Sequence, residues 1–202
     1  MEWKYPYTEY VLRRISRPIA KYISPYNIDP NIITVIGFII GIFSAIMISQ
    51  SYLIAGLILI ILSQIVDVVD GDLARITKTT SKAGMFLDSL LDRIVDTAMI
   101  LGLTMIDYSK LGILGIGAIS GSIIVSYVRK QAEAAGVECK VGFATRDIRN
   151  LVISLAIIFQ IFYSNSIYYF FIILVIITYF TIIQRAIYTF KKIDLKEKRN
   201  TK

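Results

Sequence analysis

Long apolar runs alternate with short polar breaks along the chain, and the breaks carry most of its charge. Pro30-Asn31 opens the first run, which holds from Ile32 to about Ser49. A second starts near Tyr52 and runs into Asp67 and beyond, and a third extends from around Gly84 to about Ile106. Three more follow, at about Leu111 to Ala134, Asp147 to Tyr163 and Ile167 to Phe190. A helix needs about 20 residues to cross the hydrocarbon core of a bilayer. Lipid offers no water to open backbone groups, so such runs are expected to be helical. The pattern predicts an all-α integral membrane protein, with six transmembrane helices over residues 31–190 and a short basic tail at 191–202.

Residues 1–30 are polar to amphipathic. Between Tyr7 and Ile23, the apolar residues Val11, Leu12, Ile15, Ile19 and Tyr22 recur at helical spacing among Arg13, Arg14, Arg17 and Lys21. This predicts an interfacial N-terminal helix in the headgroup region, its basic side chains toward anionic lipid. An apolar core and a small-residue cleavage site are both missing, so the segment does not read as a secretory signal.

Composition agrees with the pattern. The 202 residues are 55% hydrophobic and 18% charged, with a mean hydropathy of +0.64. No polar stretch is long enough for a separate soluble domain. The net charge of +7 reads as a membrane face and not as a nucleic-acid surface. With six spans, both termini, the 75–82 turn and the 129–149 loop share one side. Of the 22 Lys and Arg residues, only Arg93 and Lys110 fall elsewhere. The positive-inside rule makes that side cytoplasmic, which predicts a multi-pass cell-membrane protein with both termini in the cytoplasm.

Against this background the acidic residues between 67 and 92 stand out. Asp67 and Asp70 are three apart, and Asp88 and Asp92 are four apart, so each pair shares a helical face. Carboxylates in or beside apolar segments are costly unless something compensates them. Histidine is absent and Cys139 is the only cysteine. A metal here must therefore be held by oxygen, and a general base must be a carboxylate, lysine or tyrosine. Hard oxygen ligands suit Mg2+ or Mn2+, usually shared with substrate phosphates. Two such ions about 4 Å apart can stabilise both the attacking and the leaving oxygen of a phosphoryl displacement. Between the pairs, Gly71 permits close approach, Ala74 is small, Arg75 offers a planar fork suited to a diphosphate, and Gly84 avoids crowding.

In the purely structural alternative, these acids pair with Arg75, Lys78, Lys82 and Arg93. Those bases are too few for Asp67, Asp70, Asp72, Asp88, Asp92 and Asp96 together. Asp72 is expected to face the cytoplasm and Asp96 to pair with Arg93.

The order Asp67-x2-Asp70-Gly71-x2-Ala74-Arg75-x8-Gly84-x3-Asp88-x3-Asp92 resembles the full motif of the CDP-alcohol phosphotransferase family, at all eight fixed positions and all spacings. The likeness extends more loosely to the amphipathic N-terminal helix, to Pro30-Asn31-x-x-Thr34 and to the six spans. The resemblance implies that Asp67, Asp70 and Asp88 hold the metals. It also implies that Asp92 ligates the second metal and serves as base on the acceptor hydroxyl. Gly71, Ala74, Arg75, Gly84 and Thr34 would form the CDP site. The implied reaction moves a phosphoalcohol from a CDP-linked donor to a hydroxyl and releases CMP.

A second basic cluster bears on the acceptor. Arg129 and Lys140 precede Arg146 and Arg149, which stand three apart at an expected helix start, placed to clamp an anion. Positive-inside bias alone would also account for them. The arrangement is similar to family members that use inositol phosphate, implying a phosphorylated polyol acceptor, inositol 1-phosphate, and a lipid donor, CDP-archaeol or CDP-diacylglycerol. This chain departs from the bacterial members in having Lys130-Gln131-Ala132-Glu133, Thr145 and Ile148 at positions where they tend to carry an Ala-Arg-Ala-Glu run and glutamates. A related branch that makes di-myo-inositol phosphate phosphate from CDP-inositol fits Thr145-Arg146-Asp147 as well.

Intramembrane acids also mark ion paths, so a divalent-cation transporter is the rival of another class. The clustering of the acids at one end of the bilayer, with Arg75 among them, argues against it. Finally, Gly37-x-x-x-Gly41 and Gly117-x-x-x-Gly121 allow close backbone approach, either in a homodimer or within one bundle.

Overall fold

The structure, a computed structural model, describes residues 7–200. The described chain is helical throughout, without strands: α1 (Tyr7–Ile23), α2 (Pro30–Ser49), α3 (Leu53–Ile76), α4 (Lys82–Ile106), α5 (Tyr108–Ala134), α6 (Arg146–Phe162) and α7 (Ser166–Asn200). Each apolar run of the sequence becomes one of α2 to α7. Four helices are long and apolar enough to cross a membrane: α2, α3, α5 and α7 as far as Lys196. The other two fall short of six for different reasons. α4 has the length but carries Lys82, Asp88, Asp92, Arg93 and Asp96, whereas α6 has only 17 residues and opens on Arg146, Asp147 and Arg149. α7 continues through position 191, where the basic tail is expected to begin, as far as Asn200; Thr201 and Lys202 lie outside the described residues.

The chain divides into two compact units, one ending at Ile106 and the other beginning at Asp107. In the first, α2 is the spine. Asp29 caps its start by accepting a hydrogen bond from the Asn31 amide, and Pro30 occupies the first turn, where a missing N–H costs nothing. α3 and α4 each pack along α2 and hardly touch one another. Small residues make this possible. Gly37 faces Val66 of α3, Gly41 meets both Val95 of α4 and Ser63 of α3, and Gly102 of α4 lies against the Ala45 carbonyl. Two hydroxyls stitch α2 to α3, with Ser44 donating to the Gly56 carbonyl at 2.7 Å and Ser63 to the Gly37 carbonyl at 2.8 Å. Between helices in lipid such bonds contribute about 0.6 kcal/mol each, so close backbone packing carries most of the association.

α1 packs on α3 through small residues. Ser16 and Ala20 are fully buried, and Ala20 joins a cluster with Ile33, Val69 and Leu73. Ile15, Ile19 and Tyr22 remain exposed beside Arg14, Arg17 and Lys21, so the apolar line of the sequence pattern is not the face that meets the bundle. The side chains of Val11, Leu12 and Arg13 lie outside the described residues.

In the second unit α7 is the hub, with α5 and α6 packed on it. Gly117 faces Val175, and Gly121 sits against Thr178 and Tyr179. Both glycine pairs are thus used for packing inside the chain. The connection from α5 to α6 is strapped to α7. The Arg185 guanidinium donates to the Val125 carbonyl at 2.7 Å and to the Val141 carbonyl at 2.9 Å, while the Thr181 hydroxyl accepts from the Ala144 amide at 3.0 Å. Gly142, at φ 109°, passes so close to Thr181 and Arg185 that a side chain there would collide with them.

A Cβ at position 102 would lie 2.5 Å from the Ala45 carbonyl oxygen, a backbone atom that cannot move aside alone. Gly102→Ala should force α2 and α4 apart, costing about 1–3 kcal/mol as an overpacked contact. The expected outcome is a thermal unfolding midpoint in detergent several degrees below that of the native chain.

Candidate active site

The acidic residues gather where α3 ends and α4 begins. On α3, Asp67 and Gly71 are one turn apart on the same face, and Arg75 lies one further turn along. On α4, Asp88 and Asp92 repeat that spacing. α3 and α4 both pack on α2, and carboxylates from the two helices meet. One oxygen each from Asp67, Asp88 and Asp92 lies within 4.8 Å of the other two. Asp67 and Asp88 are half-buried, and Asp92 is 9% exposed.

Asp70 stands beside this trio, outside the convergent set. It is buried, with the Thr34 side chain and the Asp67 and Asp88 carboxylates as polar neighbours, and its Oδ2 has no hydrogen-bond partner. Thr34 spends its own hydroxyl on the Pro30 carbonyl at 3.1 Å. A buried carboxylate oxygen without a donor is expensive unless a cation completes it. Three converging carboxylates and this orphaned oxygen are hard donors of the kind that suit Mg2+ or Mn2+.

The other acids are accounted for by side-chain pairing. Asp96 takes the Arg93 guanidinium at 3.0 Å, as its spacing suggests. Asp72, expected at an exposed face, is buried instead. It is 4% exposed, accepts the Ser16 hydroxyl at 2.6 Å, and meets Arg75 at 3.3 Å. Its position three residues before Arg75 and on the α1 side of α3 turns it inward, a consequence of α1 docking that the sequence pattern does not contain.

Gly71 is informative because nothing crowds it. A Cβ there would find no atom within 4 Å, although glycine inside a helix costs up to about 1 kcal/mol relative to alanine. Packing within the protein does not require this glycine, so the room beside it is available for a ligand. Gly84 is different, since its missing Cβ would sit 3.0 Å from Asn31 Oδ1 and 3.2 Å from Ser81 Oγ. That contact brings the start of α2 to the start of α4. Ala74 is half-buried, and Arg75 reaches out with 57% of its side chain exposed.

The basic residues singled out for an acceptor all belong to the second unit. Arg129 pairs with Glu133 at 2.9 Å and Lys140 with Glu138 at 2.6 Å, both at the surface. Arg146 begins α6, directly after the capping residue Thr145. Arg149 is 2% exposed, and its Nη1 donates to the Ala144 carbonyl at 3.0 Å, so it also braces the connection before α6. Sequence spacing did not single out Arg185, the buried guanidinium on α7, because a lone Arg near the end of an apolar run reads as a flanking charge.

Residues 27–190 match the CDP-alcohol phosphatidyltransferase family. An archaetidylinositol phosphate synthase from Methanothermobacter thermautotrophicus is 37% identical over 188 residues, covering 91% of this chain and 92% of that protein. A bifunctional IPC transferase and DIPP synthase from Aquifex aeolicus is 34% identical over 149 residues, 71% of this chain and 34% of that protein. In fold, the chain is similar to the phosphatidylinositol phosphate synthase of Mycobacterium tuberculosis, solved with CDP-DAG bound, with a TM-score of 0.80 at 24% identity over 87% of this chain and 94% of that one. The motif read from the sequence lies inside the matched residues, and three of its four acids, Asp67, Asp88 and Asp92, converge in space. The chain belongs to the CDP-alcohol phosphatidyltransferase family and is a CDP-alcohol phosphotransferase.

Proposed function

We propose that this enzyme transfers the phospholipid group of a CDP-linked lipid, CDP-archaeol or CDP-diacylglycerol, to a hydroxyl of inositol 1-phosphate and releases CMP. The observation that carries the reading is the meeting of Asp67, Asp88 and Asp92 across α3 and α4, on the face where Gly71 leaves open space. Support for the inositol acceptor comes from the archaetidylinositol phosphate synthase, whose likeness runs nearly end to end. α4 and α6 complete six passes beside the four more apolar helices, with the acidic cluster and both termini at the cytoplasmic face.

Asp67, Asp70, Asp88 and Asp92 hold the divalent cations, Mg2+ or Mn2+. When bound, these supply charge neutralisation at the diphosphate and at the leaving oxygen. Gly71 and Ala74 leave space for the cytidine diphosphate, with Gly84 and Thr34 at its edge, and Arg75 pairs with a phosphate. The acceptor oxygen bonds to the phosphorus that carries the lipid alcohol. The bond from that phosphorus to the bridging oxygen breaks, and CMP leaves with the bridging oxygen. Asp92 takes the hydroxyl proton. Arg129, Lys140, Arg146 and Arg149 supply positive charge for a phosphorylated acceptor, with Arg146 at a helix start that favours anions.

A second reading keeps the chemistry and changes the donor to CDP-inositol, which would make a soluble phosphodiester. The likeness to the bifunctional IPC transferase and DIPP synthase favours it. Purified protein with Mg2+ and labelled inositol 1-phosphate, offered CDP-lipid or CDP-inositol separately, decides between them. Label in the organic phase with CDP-lipid is the expected result. Label staying in water with CDP-inositol would support the second reading. CMP release with glycerol phosphate or serine alone would remove inositol from both.

Three variants and conditions probe the site. Asp92→Asn should lower CMP release by at least ~100-fold, as loss of a general base does, while CDP binding stays within a few-fold of native. Gly71→Ala should leave the unfolding midpoint unchanged or raised, since alanine is the better helix former by up to about 1 kcal/mol, yet increase the KM for the donor severalfold. Chelation with EDTA should abolish turnover, and addition of Mg2+ or Mn2+ should restore it.

A further inference from the structure

Asp72 is not needed as a metal ligand by anything above, yet it is one of the most buried carboxylates of the chain. Leu73, next to it in sequence, and Val69, one turn before it, are buried apolar residues, and a charge in such company is unfavourable unless both oxygens are satisfied. The two oxygens are divided between two elements. Oδ2 accepts the hydroxyl of Ser16, a fully buried residue of α1, at 2.6 Å, and Oδ1 meets Arg75 Nη1 at 3.3 Å. α1 is thereby tied through one carboxylate to the arginine that stands one turn beyond Gly71.

We infer that Ser16 and Asp72 are positioning residues that aim Arg75 at the diphosphate of the donor, making α1 a working part of the donor site. The inference rests on Arg75 contacting that diphosphate. An exposed arginine samples many rotamers, and a ligand that fixes it must offset the lost freedom. Asp72 restricts those rotamers in advance by holding one Nη. The guanidinium carries five N–H groups, so the remaining donors stay free to bond phosphate oxygens. The paired carboxylate leaves the local charge near zero instead of positive, so Arg75 gains direction more than raw attraction. Ser16 in turn fixes the Asp72 rotamer, because its hydroxyl occupies the oxygen that would otherwise let the carboxylate rotate. The contact depends on the small Ser16 and Ala20 face of α1 lying close on α3.

The test uses the full chain in detergent with Mg2+, and CDP as the probe common to every candidate donor. Affinity is measured by titration calorimetry for Ser16→Ala and Asp72→Asn, each alone and each combined with Arg75→Ala. The single variants should weaken CDP binding roughly three- to tenfold, the range of one charge-assisted hydrogen bond, and raise the KM for the donor with kcat nearly constant. In the Arg75→Ala background the same substitutions should change affinity less than twofold, because their effect passes through the missing guanidinium. Native affinity in both single variants would overturn the inference while leaving the donor site intact. Equal losses with and without Arg75 would also overturn it, showing a general loosening of α1. Absence of CDP binding by the native chain, or native affinity in Arg75→Ala, would remove the donor-site reading itself and the inference with it.

Discussion

Everything at the active site depends on how close two helices can come to α2. Gly37, Gly41, Ser44 and Ala45 form a stripe of small residues along it, and α3 and α4 settle onto that stripe from either side. In lipid, apolar side chains gain nothing by leaving their surroundings, so a helix is held by backbone proximity and by hydroxyls such as Ser44 and Ser63. Proximity to α2 has a second consequence. α3 and α4 are fixed relative to each other through their shared packing on α2, and their carboxylates meet there.

Three carboxylates within 4.8 Å repel one another, and their helices must resist that repulsion when no cation is bound. Sites built on rigid elements hold such geometry better than sites on loops. The arrangement explains why the motif spreads over the end of one helix and the start of the next. The connecting turn, in which Lys78 adopts φ 58°, only has to reverse the chain; the positioning is done by the packed segments.

Buried polar groups elsewhere act as fasteners. Asp72 joins α1 to α3 through Ser16. Arg185 and Thr181 hold the 135–145 connection on α7, and Arg149 braces the same connection from the start of α6. Each makes a hydrogen bond to a specific partner far away in sequence or across a turn, as burial of a polar group favours. Burial thus gives several charged residues a bracing contact, as Arg149 makes with the Ala144 carbonyl.

The sequence by itself determined the helices, because apolar runs of this length have few alternatives in a membrane, and Gly, Pro and charged breaks mark their ends. It also determined the chemistry. Intervals of three and four put Asp67 with Asp70 and Asp88 with Asp92 on shared faces, and the absence of histidine left oxygen donors alone. Periodicity, however, records only which face of its own helix a residue occupies. Which faces meet is decided by the small-residue contacts between helices, which join positions as far apart as Gly41 and Val95. Tertiary structure alone therefore drew Asp67 together with Asp88 and Asp92, set Asp70 beside them, turned Asp72 inward to Ser16, and spent both glycine pairs within the chain. The physical reason is one of range: helix periodicity is local, whereas the match of small faces that sets interhelical distance is a property of two segments at once.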